Sequence, residues 1–146
     1  MLEKSDHQFC LMSFNILYGG THLGQPLEQT AAVIRLAQAD IVVVCEQGGN
    51  AEPLADWLGF TCHIVAAQPH RQSVAVLSRY PILETFANGV RLELDSQQSV
   101  CVFGVHLTSF PYQPYRVRDK AYTKKEEILD EAKETREQEL VVVLSE

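Results

Sequence analysis

Ile41-Val-Val-Val-Cys45 is a run of five apolar residues, four of them β-branched, closed at either end by an acid, Asp40 and Glu46. Such a run packs well on a pleated surface and reads as a strand buried on both faces. A strand of that kind needs neighbours beside it and layers above and below it. The flanking sequence supplies them. Phe9–Leu17 reads as another strand, apolar on both faces and hence central and buried. Pro26 opens a helix to about Ala39 with Leu27, Ala31 and Ile34 on one face. Residues 51–58 form a short helix closed by Gly59.

The pattern then changes to short strands. Thr61–Ala67 and Ser73–Ser78 are two of them, the second ended by Tyr80-Pro81. Ile82–Phe86 and Val90–Leu94 flank Asn88-Gly89, a strong hairpin signal. Ser99–Leu107 completes an antiparallel meander. A charged helix is expected over 114–138, with Val117, Ala121, Ile128 and Ala132 as a weak apolar stripe, and Leu140–Leu144 as a last strand. The order βαβα, strands, αβ predicts an α/β (α+β) fold with sheets at its core and helices outside. No internal repeat, low-complexity tract or linker interrupts it. That last strand needs cover on both faces with almost no sequence after it, which is the expectation for a truncated domain.

Composition narrows the function classes. The 146 residues are 46% hydrophobic and 21% charged, the balance of a globular chain, with a net charge of -7 and a pI near 5.2. An acidic chain is a poor nonspecific binder of nucleic acid, because such binding rests on many Lys and Arg contacts to phosphate. A locally basic cleft, or metal ions, can still supply positive charge. No apolar run approaches the ~20 residues of a membrane span, and the start lacks the pattern of a secretory signal. Cys10, Cys45, Cys62 and Cys101 form no C-x-x-C pair and read as reduced thiols of a cytoplasmic protein.

Three polar residues stand where strands end: Asn15, Glu46 and His106. A strand end fixes a side chain while letting it point into a cleft. Amide and carboxylate oxygens suit a hard cation such as magnesium or manganese, and an imidazole can move a proton or orient a phosphate. Each also admits a structural reading: a turn former for Asn15, a solvated loop carboxylate for Glu46, a hydrogen-bonded strand end for His106. Phe110-Pro-Tyr-Gln-Pro-Tyr-Arg-Val-Arg-Asp119 is aromatic, Pro-rich and basic. Arg116 or Arg118 could take a phosphate, and Tyr112 or Tyr115 could stack or contact a proton; a rigid connector, its arginines paired to acids, is the alternative. Gly19-Gly20 and Gly48-Gly49 could let backbone approach phosphate at one end of the sheet, or serve as tight turns. Arg79 reads as a turn or surface residue. His7, His22, His63 and His70 lack ligand-like spacing, and the Lys124–Glu139 charge run reads as a solvated helix face.

Four segments carry a resemblance. Leu11-Met-Ser-Phe-Asn-Ile-Leu17, with its S-x-N pattern, resembles the opening strand of the endonuclease/exonuclease/phosphatase superfamily. Ala39–Gln47 is similar to its second strand, Ser73–Ile82 to its LSRYPI strand, and Val102–Thr108 to the strand that delivers its histidine. All four occur in the expected order. The resemblance implies a four-layer α/β sandwich of mixed, mostly antiparallel sheets, and hydrolysis of a phosphate ester with Mg2+ or Mn2+. It implies that Asn15 contacts metal or phosphate, that Glu46 is the metal ligand, and that His106 meets the scissile phosphate or leaving group. Cys45 departs from the family's usual Gln, and Ser145-Glu146 stands where Gly-Asp is expected. The later Asp-His pair is missing from the sequence. Residues 1–146 are therefore expected to be a single incomplete domain, the N-terminal half, inactive alone. The acidic balance favours a small or lipid-like phosphodiester, or a phosphomonoester, over duplex DNA. The alternatives are a non-catalytic remnant that binds or self-associates as a homo-oligomer through its unfinished sheet, and an unrelated α/β binding domain.

Overall fold

The computed structural model describes residues 8–65 and 74–145. His7, His70, Ser73, Glu146 and the end of the expected strand at 66–67 lie outside the described residues. The chain divides into two compact units, Met1–Gly104 and Val105–Glu146.

The first unit holds two sheets. One has the order β1-β2-β4-β3, from β1 (Leu11–Asn15), β2 (Ile41–Cys45), β3 (Thr61–Ile64) and β4 (Ala75–Ser78). The other is β5 (Ile82–Thr85), β6 (Gly89–Glu93) and β7 (Ser99–Phe103), in that order. β1 and β2 are parallel, with Asn15 opposite Cys45, and the other pairs are antiparallel. A parallel pair needs a crossover, and α1 (Leu27–Leu36) provides it. α2 (Ala51–Leu58) follows β2, and Gly59 caps it.

β2 is buried at all five positions, as its composition requires. Val42 and Val44 pack with Leu77 against Ile34 of α1 and Leu54 of α2. Ile41, Val43 and Cys45, on the opposite face, join Val76, Val90, Leu92 and Val102 in a second core between the sheets. The unit is thus three layers: helices, sheet, sheet. At about 1.5–3 kcal/mol for each fully buried aliphatic side chain, these two cores dominate its stability.

Several expectations change. β1 is not central and buried. It lies at the edge of its sheet, with alternate residues Leu11, Ser13 and Asn15 exposed. Met12 and Phe14 pack beneath the helices, while of this flank only Phe9 joins the inter-sheet core. The meander is split: β3 and β4 stay in the first sheet, and the turn through Tyr80-Pro81 delivers β5–β7 to the second. In the hairpin, Gly89 belongs to β6 rather than to the turn tip, and Phe86 donates its N–H to the Gly89 carbonyl (2.8 Å). A Cβ at Gly89 would lie 2.4 Å from the Val102 carbonyl oxygen, so glycine is needed for close strand approach. β7 ends at Phe103, three residues before His106.

In the second unit the expected single helix is broken. α3 (Gln113–Arg118) ends before a turn in which Lys120 is left-handed (φ 55°). α4 (Lys125–Ala132) then runs through a π turn at Lys133–Glu137 into α5 (Gln138–Leu144). The strand expected at Leu140–Leu144 is therefore helix. A strand must find a partner for its N–H and C=O groups, whereas an extending helix pairs its own. The helix also needs cover on one face only. Val143 is buried, and Leu140, Val141, Val142 and Leu144 are exposed. Among the described residues no helix is long and apolar enough to cross a membrane.

Candidate functional site

The parallel register brings the ends of β1 and β2 side by side, and with them Asn15 and Glu46. Asn15 Nδ2 donates to Glu46 Oε1 at 2.9 Å. Asn15 Oδ1 accepts the Leu17 N–H at 3.0 Å, which fixes which way the amide faces. Residues 31 apart in sequence are thereby joined at one edge of the sheet.

Both chain exits from these strands bend sharply. Leu17, Tyr18 and Glu46 are left-handed at φ 48°, 50° and 57°. For residues with a Cβ this conformation is costly and clusters at functional sites. The two glycine loops interlock. A Cβ on Gly48 would lie 3.1 Å from Gly19 Cα, and one on Gly19 would lie 2.9 Å from Asn50 Nδ2. The Gly19 N–H donates to the Glu46 carbonyl (2.7 Å), and Asn50 Nδ2 donates to the Gly19 carbonyl (2.8 Å). Both glycine pairs thus lie at the same end of the sheet and pack on each other.

Gln47 and Asn50 are part of this frame, and sequence reasoning missed them. Gln47 is buried, and its Oε1 accepts the N–H groups of Gly49 (2.7 Å) and Ala51 (3.2 Å). It therefore caps the start of α2 from four residues upstream. The usual signal for a helix start is Ser, Thr, Asp or Asn at the N-cap itself, so a glutamine reaching forward from before the N-cap has no pattern to betray it. Cys45 shares the inter-sheet core, where burial, and then the neighbouring Glu46 charge, push its thiol pKa up.

A cleft of about 280 Å³ opens beside Asn15 along the β1 edge, lined by Ile16, His22, Gln25, Gln29 and Thr30 among others. His63 lies elsewhere, its Nε2 3.2 Å from the Phe86 carbonyl oxygen. Arg79 pairs with Asp40 at 3.0 Å at the far end of β2.

His106 belongs to the second unit, in the segment between β7 and α3. That segment is tied to the helices of its own unit. Glu139 accepts from the Thr108 N–H (2.8 Å) and hydroxyl (2.6 Å). Arg136 donates to the carbonyls of Ser109 and Pro111, each at 3.1 Å. Arg116 is paired with Glu131, which also accepts from Gln113 and Tyr122. Tyr112, Tyr115 and Arg118 instead lie on another face of α3. The tyrosine rings meet edge to face at 4.6 Å, and the Arg118 guanidinium lies over Tyr115 at 4.8 Å. Arg116 thus acts as the paired connector residue, and the other three form one exposed group.

The family model for the endonuclease/exonuclease/phosphatase family matches residues 12–143, nearly the whole chain. The chain belongs to that family. No curated protein matches it in sequence. Family membership carries a phosphoesterase or nuclease type of activity in general, and members generally work with a divalent metal. Among the described residues no group of three or more His, Cys, Asp or Glu gathers as a metal site. The Asn15–Glu46 pair still fits a hard cation. Magnesium is commonly held by one or two carboxylates, with waters and substrate phosphate completing its shell.

Proposed function

We propose that this chain carries the Glu46 half of a Mg2+- or Mn2+-dependent phosphoester hydrolase site. The observation that supports it best is the 2.9 Å hydrogen bond between Asn15 and Glu46 at the ends of adjacent parallel strands. In this reading Glu46 is the metal ligand. Asn15 would hold the Glu46 carboxylate in place through Nδ2, and its Oδ1, which accepts the Leu17 N–H, would be the second candidate donor to the ion. The metal, when bound, polarises a phosphoryl oxygen and stabilises charge that develops on it. His106 is the candidate for protonating the leaving oxygen or hydrogen-bonding the phosphate. The substrate is a phosphate ester, and Tyr112, Tyr115, Arg116 and Arg118 are the candidates for holding it, with Arg116 the least suited because Glu131 already engages it. The setting we propose is the cytoplasm, with all four thiols unbridged.

Metal-dependent turnover of a bis-aryl phosphate tests the reading. Half of a site is expected to give residual hydrolysis at most, and any acceleration by Mg2+ or Mn2+ is expected to disappear in Glu46→Ala. Equal turnover by the Glu46→Ala variant would take Glu46 out of the site.

A second reading, a self-associating module, draws on β1. This edge strand contains no proline or charge, and Leu11 is 53% exposed on it. Natural edges normally carry such protection against pairing with another chain. Size measurement in solution separates the two: a monomer across concentrations counts against self-association.

A further inference from the structure

α1 and α2 stop in the same way. Gln38 and Gly59 are each left-handed, at φ 53° and 70°. Their N–H groups donate to the carbonyls of Arg35 (3.0 Å) and Asp56 (3.2 Å), while those of Ala39 and Phe60 donate to Ile34 (3.4 Å) and Ala55 (2.9 Å). Such a closure usually has glycine at its left-handed position. α2 has it. α1 has a glutamine, whose Cβ makes that conformation costly, and no hydrogen bond holds its side-chain amide among the described residues.

Between the two helix ends and the end of β4 lies a cavity of about 280 Å³. Its apolar wall comes chiefly from Ile34, Leu58 and Phe60, its polar groups are Arg35, Gln38 and Arg79, and no acid lines it. The two guanidinium groups differ. Arg79 is paired with Asp40 at 3.0 Å, and the other oxygen of Asp40 accepts the Cys10 N–H at 2.8 Å. Arg35 donates from one nitrogen to the Trp57 carbonyl, an uncharged partner, and no carboxylate pairs with it among the described residues. The cavity therefore holds one positive charge that no acid balances, and the closures above cap the helix carbonyls that would oppose an anion.

We propose that this cavity binds a small monocarboxylate with a compact apolar body, such as an aromatic acid. Arg35 takes the carboxylate through the N–H groups that Trp57 leaves over, since a guanidinium offers a planar fork to a carboxylate. Gln38 adds an amide donor at the same mouth. Ile34, Leu58 and the Phe60 ring cover the body, the usual division between a few polar groups and an apolar wall in a ligand pocket. A single unbalanced charge matches a monoanion. Phosphate, hydrophilic on every side, would leave the apolar wall uncovered and find few donors. Joining α1 to α2 accounts for one nitrogen of Arg35, but not for the left-handed glutamine, which glycine would replace at less cost; strained residues of that kind gather where ligands are held. The cavity lies at the opposite end of β2 from Glu46, so the proposal stands apart from the hydrolase reading.

Titration of the full chain with benzoate, followed by nitrogen-15 NMR, tests it. Saturable shifts are expected at the Arg35 side-chain N–H and the Gln38 side-chain amide. Arg35→Gln is expected to weaken binding about tenfold or more, the scale of losing a charged hydrogen bond. Gln38→Gly keeps a folding defect apart from a lost contact. It relieves the left-handed strain, so it is expected to raise the melting temperature while weakening benzoate about threefold or more. Unchanged affinity in either variant would overturn the proposal, as would the absence of a saturable shift at about 10 mM benzoate. Benzyl alcohol binding as tightly as benzoate would show that charge is not read. Acetate or inorganic phosphate binding as tightly would show that the apolar wall is not. Each of those results also overturns it.

Discussion

Glu46 leaves a strand whose five residues are all buried, whereas Arg118 ends a six-residue helix in which only Gln113 is buried. The first unit places its candidate residues through backbone ladders and two apolar cores. The second places its own through side chains: Glu131 gathers Arg116, Gln113 and Tyr122, and Arg136 and Glu139 fasten the segment before α3. A strand end is fixed by many cooperative backbone bonds, so one lost side chain leaves its position intact. A surface built on ion pairs depends on single residues and on ionic strength, because exposed pairs contribute little each and are screened by salt.

The largest expected effect tests the apolar side of this contrast. Leu54 of α2 is fully buried in the helix–sheet core. Leu54→Ala is expected to cost about 2–5 kcal/mol through lost burial and the cavity left behind, read as a lowered urea midpoint at unchanged slope. A cost below 1 kcal/mol would mean that this core does not hold the unit together. A smaller effect tests the polar side. Glu131→Gln keeps the shape but removes the charge shared by Arg116, Gln113 and Tyr122. It is expected to cost about 1–2 kcal/mol, with the loss concentrated in hydrogen-exchange protection of residues 113–136. Uniform loss across both units would break the comparison.

The smallest effect is a pH dependence. Burial first, then the Glu52 and Asp56 charges, push the Cys62 thiol from 9.0 to about 11. The folded chain therefore holds a proton that the unfolded chain gives up above its ordinary thiol pKa. That contribution to stability is complete below pH 9.0 and is lost as pH rises toward about 11. Cys62→Val should flatten this part of the curve. In mass-spectrometric alkylation at pH 8, the exposed Cys10 and Cys101 should react before Cys45 and Cys62; early labelling of Cys62 would contradict its raised pKa.

The same contrast governs what the sequence reveals. β2, α1, α2 and the hairpin strands follow from periodicity and β-branched runs, because their burial is what the residues encode. Asn15 and Glu46 are legible as polar residues where apolar strands stop. The edge position of β1 is not legible, since whether a strand is covered depends on where the second sheet lands. Gln47 escaped because it caps a helix from outside the usual N-cap position. Leu140–Leu144 misleads for a related reason. Its β-branched residues favour strand, but α4 and the π turn already supply a growing helix end, and propagation costs less than finding a partner.

Mn2+ binding measures the central claim most directly, because it asks about Glu46 without requiring turnover. Titration of the full chain, followed by the electron paramagnetic resonance signal of free Mn2+, is predicted to find one saturable site. Glu46→Gln is predicted to weaken it about tenfold or more, the scale of losing a charged ligand, and Asn15→Ala to weaken it less. Unchanged affinity in Glu46→Gln would contradict the account.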